Sequence, residues 1–142
     1  MIRGISAAEA RVIRSMVLRP GQAAEQLVYP GDDEPPSFHG GAFHEDQLVG
    51  IASVYPEAHP AYDWPAAWRL RGMATLPEVR GMGYGKGLIQ VCLAHIAAHG
   101  GQNLWCNGRV NAAGFYTLLG FAAYGDEFIT ESGPHYVFRR QV

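Results

Sequence analysis

Apolar residues repeat along this chain with helical spacing in some segments and alternate with polar residues in others. A Ser6–Glu9 capping-box spacing predicts that a first helix begins at Ala7, and Pro20-Gly21 is expected to end it. A second helical pattern runs from Leu88 to the stop signal at Gly100-Gly101. Each helix would bury its apolar stripe against a sheet.

Short alternating segments bounded by turn residues predict the strands of that sheet. They are expected at Met1–Ile5, Phe38–Phe43, Leu48–Tyr55, Ala67–Thr75, Leu104–Cys106, Phe121–Tyr124 and Tyr136–Arg139. Gly72, within the fourth of these, indicates a bulge. Asn111 is expected to cap a third helix that runs through Leu119, and residues 131–134 (ESGP) to form a loop between the last two strands. The order of elements predicts an α/β domain with a mixed sheet.

The composition narrows the class of protein. With 142 residues the chain fits one domain spanning 1–142, and 48% apolar with 17% charged residues is an ordinary globular balance. A net charge of −2 disfavours a nucleic-acid binder, because phosphate neutralisation needs a basic face. The N-terminal segment lacks a signal-peptide pattern, and no apolar run is long enough for a bilayer. A cytoplasmic protein without a membrane partner is expected.

A glycine-rich segment, Val79–Gly87 (VRGMGYGKG), lies between a predicted strand and a predicted helix. Glycines allow close backbone approach to a ligand, and the start of a helix offers free N–H groups and a positive dipole end, which suits a pyrophosphate. The P-loop pattern fails, because Gly87 stands where Ser or Thr is required and the first glycine falls on Arg80. The Rossmann pattern also fails, since its last glycine falls on Lys86 or Leu88.

The segment does fit the pattern R-x-x-G-x-G at Arg80, Gly83 and Gly85, and here the chain resembles the GCN5-related N-acetyltransferase (GNAT) superfamily. The resemblance extends to RLRGMATLPEVRGMGYGKGLI, similar to the family's fourth strand, loop and third helix, and to LWCNGRVNAAGFYTLLGF, similar to its fifth strand and fourth helix. The last segment, FITESGPHYVFRR, resembles the end of many small bacterial members. The resemblance covers roughly half the chain and implies a GNAT-like fold with a mixed, mostly antiparallel central sheet flanked by helices.

The resemblance implies that acetyl-coenzyme A (acetyl-CoA) is the cosubstrate and that no metal takes part. Its pyrophosphate would bind the glycine loop, and its pantetheine amides would pair with a strand edge. The implied binding residues are Met73, Ala74, Thr75, Arg80, Gly81, Met82, Gly83, Tyr84, Gly85, Lys86, Asn111 and Tyr116. A plain helix cap explains Asn111 equally well, and ordinary strand core also explains Met73–Thr75.

The implied reaction is direct attack of a primary amine on the acetyl thioester in a ternary complex. Tyr116 would be the general acid toward the leaving thiolate, because a phenol keeps its proton at neutral pH, although packing in the helix core also explains this residue. The backbone N–H of Met73 would stabilise the developing oxyanion.

The general base is left open, because Ala67 stands where some family members carry a glutamate. A water, Glu57, Glu131 or His135 could take the role, and structural loop contacts also explain the last two. The missing glutamate fits a second class of function as well, a catalytically inactive module that binds or senses acyl-CoA. A different nucleotide-binding enzyme is disfavoured by the two failed phosphate motifs.

The acceptor would be an amine on a small molecule or a peptide, and dimers are common in the family that the chain resembles. Aromatic residues at Tyr62, Trp64 and Trp68 precede or begin the fourth predicted strand. Three interpretations of this cluster stay open: an acceptor pocket, a dimer surface or simple packing.

Overall fold

Seven strands form one sheet in the order β1-β2-β3-β4-β5-β7-β6 in the computed structural model, which describes residues 1–142. The elements in chain order are β1 (Ile2–Gly4), α1 (Ala7–Ile13), β2 (Phe38–His44), β3 (Gln47–Pro56), β4 (Ala67–Thr75), α2 (Tyr84–Ala98), β5 (Asn103–Arg109), α3 (Ala113–Leu118), β6 (Ala122–Thr130) and β7 (Gly133–Gln141). All neighbouring strands are antiparallel except β4 and β5. The predicted fold class, a mixed and mostly antiparallel sheet with flanking helices, is confirmed.

The bulge that the sequence predicts in β4 interrupts the pairing of β4 with β3. The pairing of β3 with β4 shifts register between Ile51 and Ser53, so that Ser53 lies opposite Arg71 and Ile51 opposite Ala74. Gly72 sits in this bulge with a φ of 61°, a left-handed conformation that favours glycine. A side chain there would also meet the ring of Tyr29 at 2.9 Å. Both constraints explain a glycine in the middle of a strand.

The sheet opens between its two parallel strands. β4 and β5 pair only over Ala67–Arg69 and Asn103–Trp105. Beyond Arg69 the edge of β4 has no strand partner on the β5 side, whereas its other edge stays paired with β3 as far as Thr75. A cleft therefore begins where the two strands diverge.

The two longer helical segments pack on opposite faces of the sheet. The capping box of α1 is formed, since Ser6 Oγ accepts from the Glu9 N–H and Glu9 accepts from the Ser6 N–H. Ser53 of β3 lies on the α1 side, where its hydroxyl contacts Arg14. A side chain at Gly40 of β2 would instead meet Leu88 and Val91 of α2. A single cluster of buried apolar residues joins the sheet with both helices.

A buried ion pair ties the loop after α1 to the sheet. The guanidinium of Arg14 and the carboxylate of Asp32, both without exposed side-chain surface, form two hydrogen bonds of 2.7 and 3.0 Å. Arg14 also donates to Ser53 and Tyr55, and the Tyr55 hydroxyl donates to Asp32 at 2.5 Å. Burial would lower the pKa of Arg14, but these partners raise it, so the pair stays ionised. The network fixes the loop that carries Tyr29.

Three details of the sequence prediction are wrong. The first helix leaves α geometry at Ile13 and continues as a π-helical turn, Arg14–Leu18, which directs Arg14 into the network described above. The expected four-residue loop near the C-terminus is shorter, because Gly133 and Pro134 already pair with Thr130 and Ile129. Asn111 does not cap α3.

Asn111 lies instead in a short 3-10 turn, Val110–Ala112, and the residue at the N-cap of α3 is Ala112, with no side-chain cap. The 3-10 turn displaces the N-cap and the start of the helix by one residue relative to the prediction. None of the helices combines the length and the apolar character needed to cross a bilayer.

Candidate functional site

The divergence of β4 and β5 opens a cleft of about 750 Å³ that is mostly apolar. It is bounded by the end of β4, the glycine loop with the start of α2, the helix α3 and the end of the π-helical turn. The lining residues are Val17, Leu18, Met73, Ala74, Thr75, Val79, Arg80, Gly81, Gly83, Tyr84, Gly85, Lys86, Phe115, Tyr116, Leu118 and Leu119. The cleft therefore brings together three separate segments of the sequence, within residues 17–18, 73–86 and 115–119.

The glycine loop presents unpaired amides to the cleft. Gly81 and Gly83 have φ values of 81° and 86°, and a side chain at either would meet nothing within 4 Å. The first helical backbone bond of α2 is donated by Gly87 to Gly83. The N–H groups of Gly81, Gly83, Tyr84, Gly85 and Lys86 have no partner within the protein. Five free donors at a helix N-terminus form an anion site of the kind that pyrophosphate fits.

Two cations flank this site. The side chains of Arg80 and Lys86 are exposed and form neither an ion pair nor a hydrogen bond with the protein. Together with the positive end of the α2 dipole, they make this end of the cleft electropositive although the whole chain carries a net charge of −2. Local charge therefore matches an anionic ligand.

The open edge of β4 offers backbone groups in the middle of the cleft. On the paired side, the N–H of Leu76 donates to the carbonyl of Val49 in β3. Successive amides of a strand point to alternate sides, so the N–H of Ala74 is directed toward β3, and those of Met73 and Thr75 toward the open edge. An extended ligand with its own amides can add to this edge as a strand does.

Tyr116 forms the opposite wall. Its ring stacks on Phe138 with centroids 4.5 Å apart and meets Phe121 edge to face. A side chain at Gly108 of β5 would collide with this ring, so the glycine makes room for it. Burial, followed by the neighbouring Cys106 thiol, raises the pKa of Tyr116 above its ordinary value. The phenol is thus held protonated beside the cleft.

Four of the residues expected at the site lie outside the cleft lining. Met82 and Asn111 are exposed and do not line the cavity. Glu131 is exposed in the turn between β6 and β7. His135 is buried in β7, where its Nδ1 lies 2.8 Å from the Gly133 carbonyl and 3.2 Å from Thr130 Oγ1.

Glu57, another candidate base, is paired with Arg69 at 3.0 Å. No carboxylate and no imidazole lines the cleft.

Sequence reasoning missed the apolar side of the cleft. Val17 and Leu18 come from the π-helical turn, Phe115 and Leu118 from α3, and Leu119 from the C-cap of α3. Phe115 and Leu118 are large apolar residues that nevertheless remain 43% and 87% exposed. The signal that the sequence offered was the apolar character of Phe115 and Leu118 beside Tyr116, which was already expected at the site.

The aromatic residues that precede or begin β4 divide between the two faces of the sheet. Tyr62 and Trp64 stack on each other with centroids 4.5 Å apart, and both meet Tyr124 of β6. Trp68 is buried against His95 of α2 instead. The three residues therefore form no common pocket.

A splayed α/β sheet with an unpaired β4 edge and a glycine-rich helix N-terminus defines the class of acyl-transferring proteins that the sequence resembles. The model of the acetyltransferase (GNAT) family matches residues 12–121 of the chain. A Bacillus subtilis (strain 168) protein named as an uncharacterized N-acetyltransferase, YitI, is 39% identical over 137 residues, which cover 96% of this chain and 92% of that protein. The chain belongs to the GNAT family and is an N-acetyltransferase.

Solved structures agree on the fold. Ard1 from Thermoplasma volcanium superposes with a TM-score of 0.79 at 16% identity, over 100% of this chain and 97% of that one. An aminoglycoside 6'-N-acetyltransferase in complex with coenzyme A superposes with a TM-score of 0.72 at 14% identity, over 99% and 96% of the two chains. At these identities the likeness describes the fold alone.

Proposed function

We propose that the protein transfers an acetyl group from acetyl-CoA to a primary amine by direct attack within a ternary complex. The observation that carries the proposal is the set of five unpaired amides at the start of α2, next to the open edge of β4. Coenzyme A carries a pyrophosphate followed by a chain with two amides. The unpaired amides of the glycine loop suit the first group and the open edge of β4 suits the second, and both lie in one cleft.

In the proposed complex, the amides of residues 81–86 bind the pyrophosphate, with Arg80 and Lys86 adding positive charge. The open edge of β4 pairs with the pantetheine amides. The thioester then lies where β4 and β5 diverge, between Met73 and Tyr116. Acetyl-CoA supplies the activated acyl group, and the chain supplies position and polar contacts.

The amine nitrogen forms a bond to the acetyl carbon while the carbon–sulfur bond breaks. The N–H of Met73 donates to the carbonyl oxygen as negative charge develops there. The Tyr116 hydroxyl gives its proton to the departing thiolate, which leaves as the thiol. The protonated product nitrogen loses its proton to water, and the Tyr116 phenolate takes a proton back from solvent. Since no carboxylate or imidazole lines the cleft, water is the base that this geometry favours over Glu57, Glu131 and His135.

Thermal unfolding with and without acetyl-CoA tests the binding part of this proposal. A ligand that binds only the folded chain adds about 2.7 kcal/mol at a hundredfold excess over its Kd. We expect a clear rise in Tm for the wild type and none for Gly83→Asp, whose carboxylate would occupy the pyrophosphate site.

Gly100→Asp is the matched control, because Gly100 also has a positive φ of 76° and open space but lies at the far end of α2. Absence of a Tm rise in the wild type at millimolar acetyl-CoA contradicts the proposal. A rise without thiol release in the presence of amines would favour an acyl-CoA sensor instead.

A further inference from the structure

One arginine beside the cleft has no partner for its charge. Arg71 lies in the β4 bulge opposite Ser53 and is half-buried. Its guanidinium forms no ion pair and donates no hydrogen bond to the protein. Its aromatic contact is the ring of Tyr29, whose centroid lies 4.4 Å from Arg71 Cζ. All five of its N–H donors are free for a ligand.

The neighbouring arginines are neutralised. Arg14 is paired with Asp32, and Arg69 with Glu57. Arg71 therefore differs from Arg14 and Arg69, its neighbours on this face of the sheet. Burial, followed by the charge of Arg69, lowers the pKa of Arg71 from its ordinary value. This environment disfavours a cation without a counterion, so a bound anion would compensate the charge of Arg71.

Tyr29 holds the unpaired guanidinium in place. The Tyr29 ring lies between two guanidinium groups, with Arg14 Cζ at 3.9 Å and Arg71 Cζ at 4.4 Å from its centroid. The Tyr29 N–H donates to the carboxylate of Asp32, which anchors the loop to the buried network. This contact restrains the guanidinium of Arg71 without using its N–H donors, which leaves its planar fork available to an oxyanion.

Arg71 lies close to the place where the acceptor amine would meet the thioester. It precedes Met73 by two residues, or about 7 Å of strand. It lies on the sheet face that carries α1, since Ser53 opposite it contacts Arg14. The glycine loop and α2 lie toward the other face, so a bound cosubstrate leaves the Arg71 side open.

We propose that Arg71 is a specificity-determining residue that binds an oxyanion group, a carboxylate or a phosphate, on the acceptor amine. The inference rests on the proposed function, because it assigns the acceptor side of the same site. Arg71 would hold the acid group while the amine of the same molecule reaches the thioester beside Met73.

The test compares matched acceptors in a thiol-release assay with acetyl-CoA. One arm uses the twenty amino acids against their α-carboxamides, and a second uses phosphoethanolamine against ethanolamine. We expect at least one acid to exceed its uncharged partner in kcat/KM by about tenfold or more, the usual effect of a charge-assisted hydrogen bond. The arm that shows this preference identifies the anion.

Arg71→Gln should reduce the acid-to-neutral ratio to within about twofold of one, mainly through KM. Arg71→Lys should keep part of the preference, since charge remains but the planar fork is lost. Arg3→Gln is the matched control, because Arg3 lies on the edge strand β1 with its guanidinium over Phe43. Its ratio should equal that of the wild type.

An acid-to-neutral ratio near one in the wild type, or a ratio that Arg71→Gln leaves unchanged, overturns the inference. So does a panel in which no acid is acetylated, or bound by the acetyl-CoA-loaded protein, better than its neutral partner. Equal turnover of neutral amines by wild type and Arg71→Gln would leave the proposed acetyl transfer standing. A wild type that binds no acetyl-CoA would instead contradict the proposed function itself.

Discussion

At the scale of single residues, Tyr116 gives the sharpest mechanistic prediction. Tyr116→Phe should lower kcat by about a hundredfold, the lower end of the usual contribution of a general acid. Affinity for acetyl-CoA should stay within about twofold, because the ring and its stacking on Phe138 remain. Thiol-release kinetics and ligand-induced Tm shifts measure the two quantities separately.

Tyr136→Phe is the control for this substitution, since Tyr136 is also half-buried and meets Phe138 edge to face, but it does not line the cleft. The raised pKa of Tyr116 means that its ionisation should not limit the rate anywhere below about pH 10. Unchanged turnover in Tyr116→Phe would remove the phenol from the mechanism.

Asp32 gives a prediction about stability. Burial would raise its pKa, but hydrogen bonds from Arg14, Tyr55 and the Tyr29 N–H outweigh burial and lower the pKa far below the ordinary value. Asp32→Asn should cost about 3 kcal/mol in free energy of unfolding at pH 7, because it leaves the Arg14 charge buried without a counterion. Urea unfolding measures the loss.

The pH dependence of this loss has a definite sign. A carboxylate with a depressed pKa stabilises the fold above its unfolded pKa of about 3.9, and that contribution declines as pH falls below it. The difference between wild type and Asp32→Asn should therefore be smaller at pH 3 than at pH 7. Asp33→Asn is the matched control, since the Asp33 side chain is 76% exposed and should change stability by less than about 0.5 kcal/mol.

At the scale of elements, the bulge in β4 depends on Gly72. Gly72→Ala should destabilise the fold by about 2 kcal/mol, since it adds left-handed strain and a contact with the Tyr29 ring. Gly21→Ala separates the two effects, because Gly21 has a φ of 91° and open space around it. If both variants lose the same free energy in urea unfolding, the contact with Tyr29 contributes nothing.

The elements also show what a sequence can predict. The span of β4, the bulge at Gly72 and the start of α1 follow from local spacing, because alternation, glycine and the capping box act within a few neighbouring residues. The π-helical turn after Ile13 could not be predicted, since it depends on Arg14 reaching Asp32, which is 18 residues away along the chain.

The same distinction applies to the site. The glycine loop was predictable because each glycine acts through its own backbone. The apolar wall from Phe115 and Leu118, and the isolation of Arg71, depend on which elements meet across the sheet. A repeat pattern places residues on a face, but it does not reveal which neighbouring charges are already paired.

At the scale of the whole molecule, the two cysteines report on the integrity of the fold. Cys92 and Cys106 are free and buried, and burial raises the pKa of each thiol to about 12. Neither should react with iodoacetamide at pH 8 while the chain is folded, because the reactive form is the thiolate. The rate at which iodoacetamide labels each cysteine, followed by mass spectrometry, therefore measures how often the structure around that cysteine opens.

If the chain is one cooperative domain, both cysteines should be labelled at the same rate, since only global unfolding exposes them. Acetyl-CoA should slow both labelling rates by about a hundredfold at a hundredfold excess over its Kd, because binding lowers the unfolded population by that factor. Cys92 lies on the buried face of α2, and Cys106 lies in β5 beside Tyr116, which lines the cleft. Faster labelling of Cys106 alone would mean that the β5 side of the cleft opens without global unfolding, and acetyl-CoA would then protect Cys106 selectively.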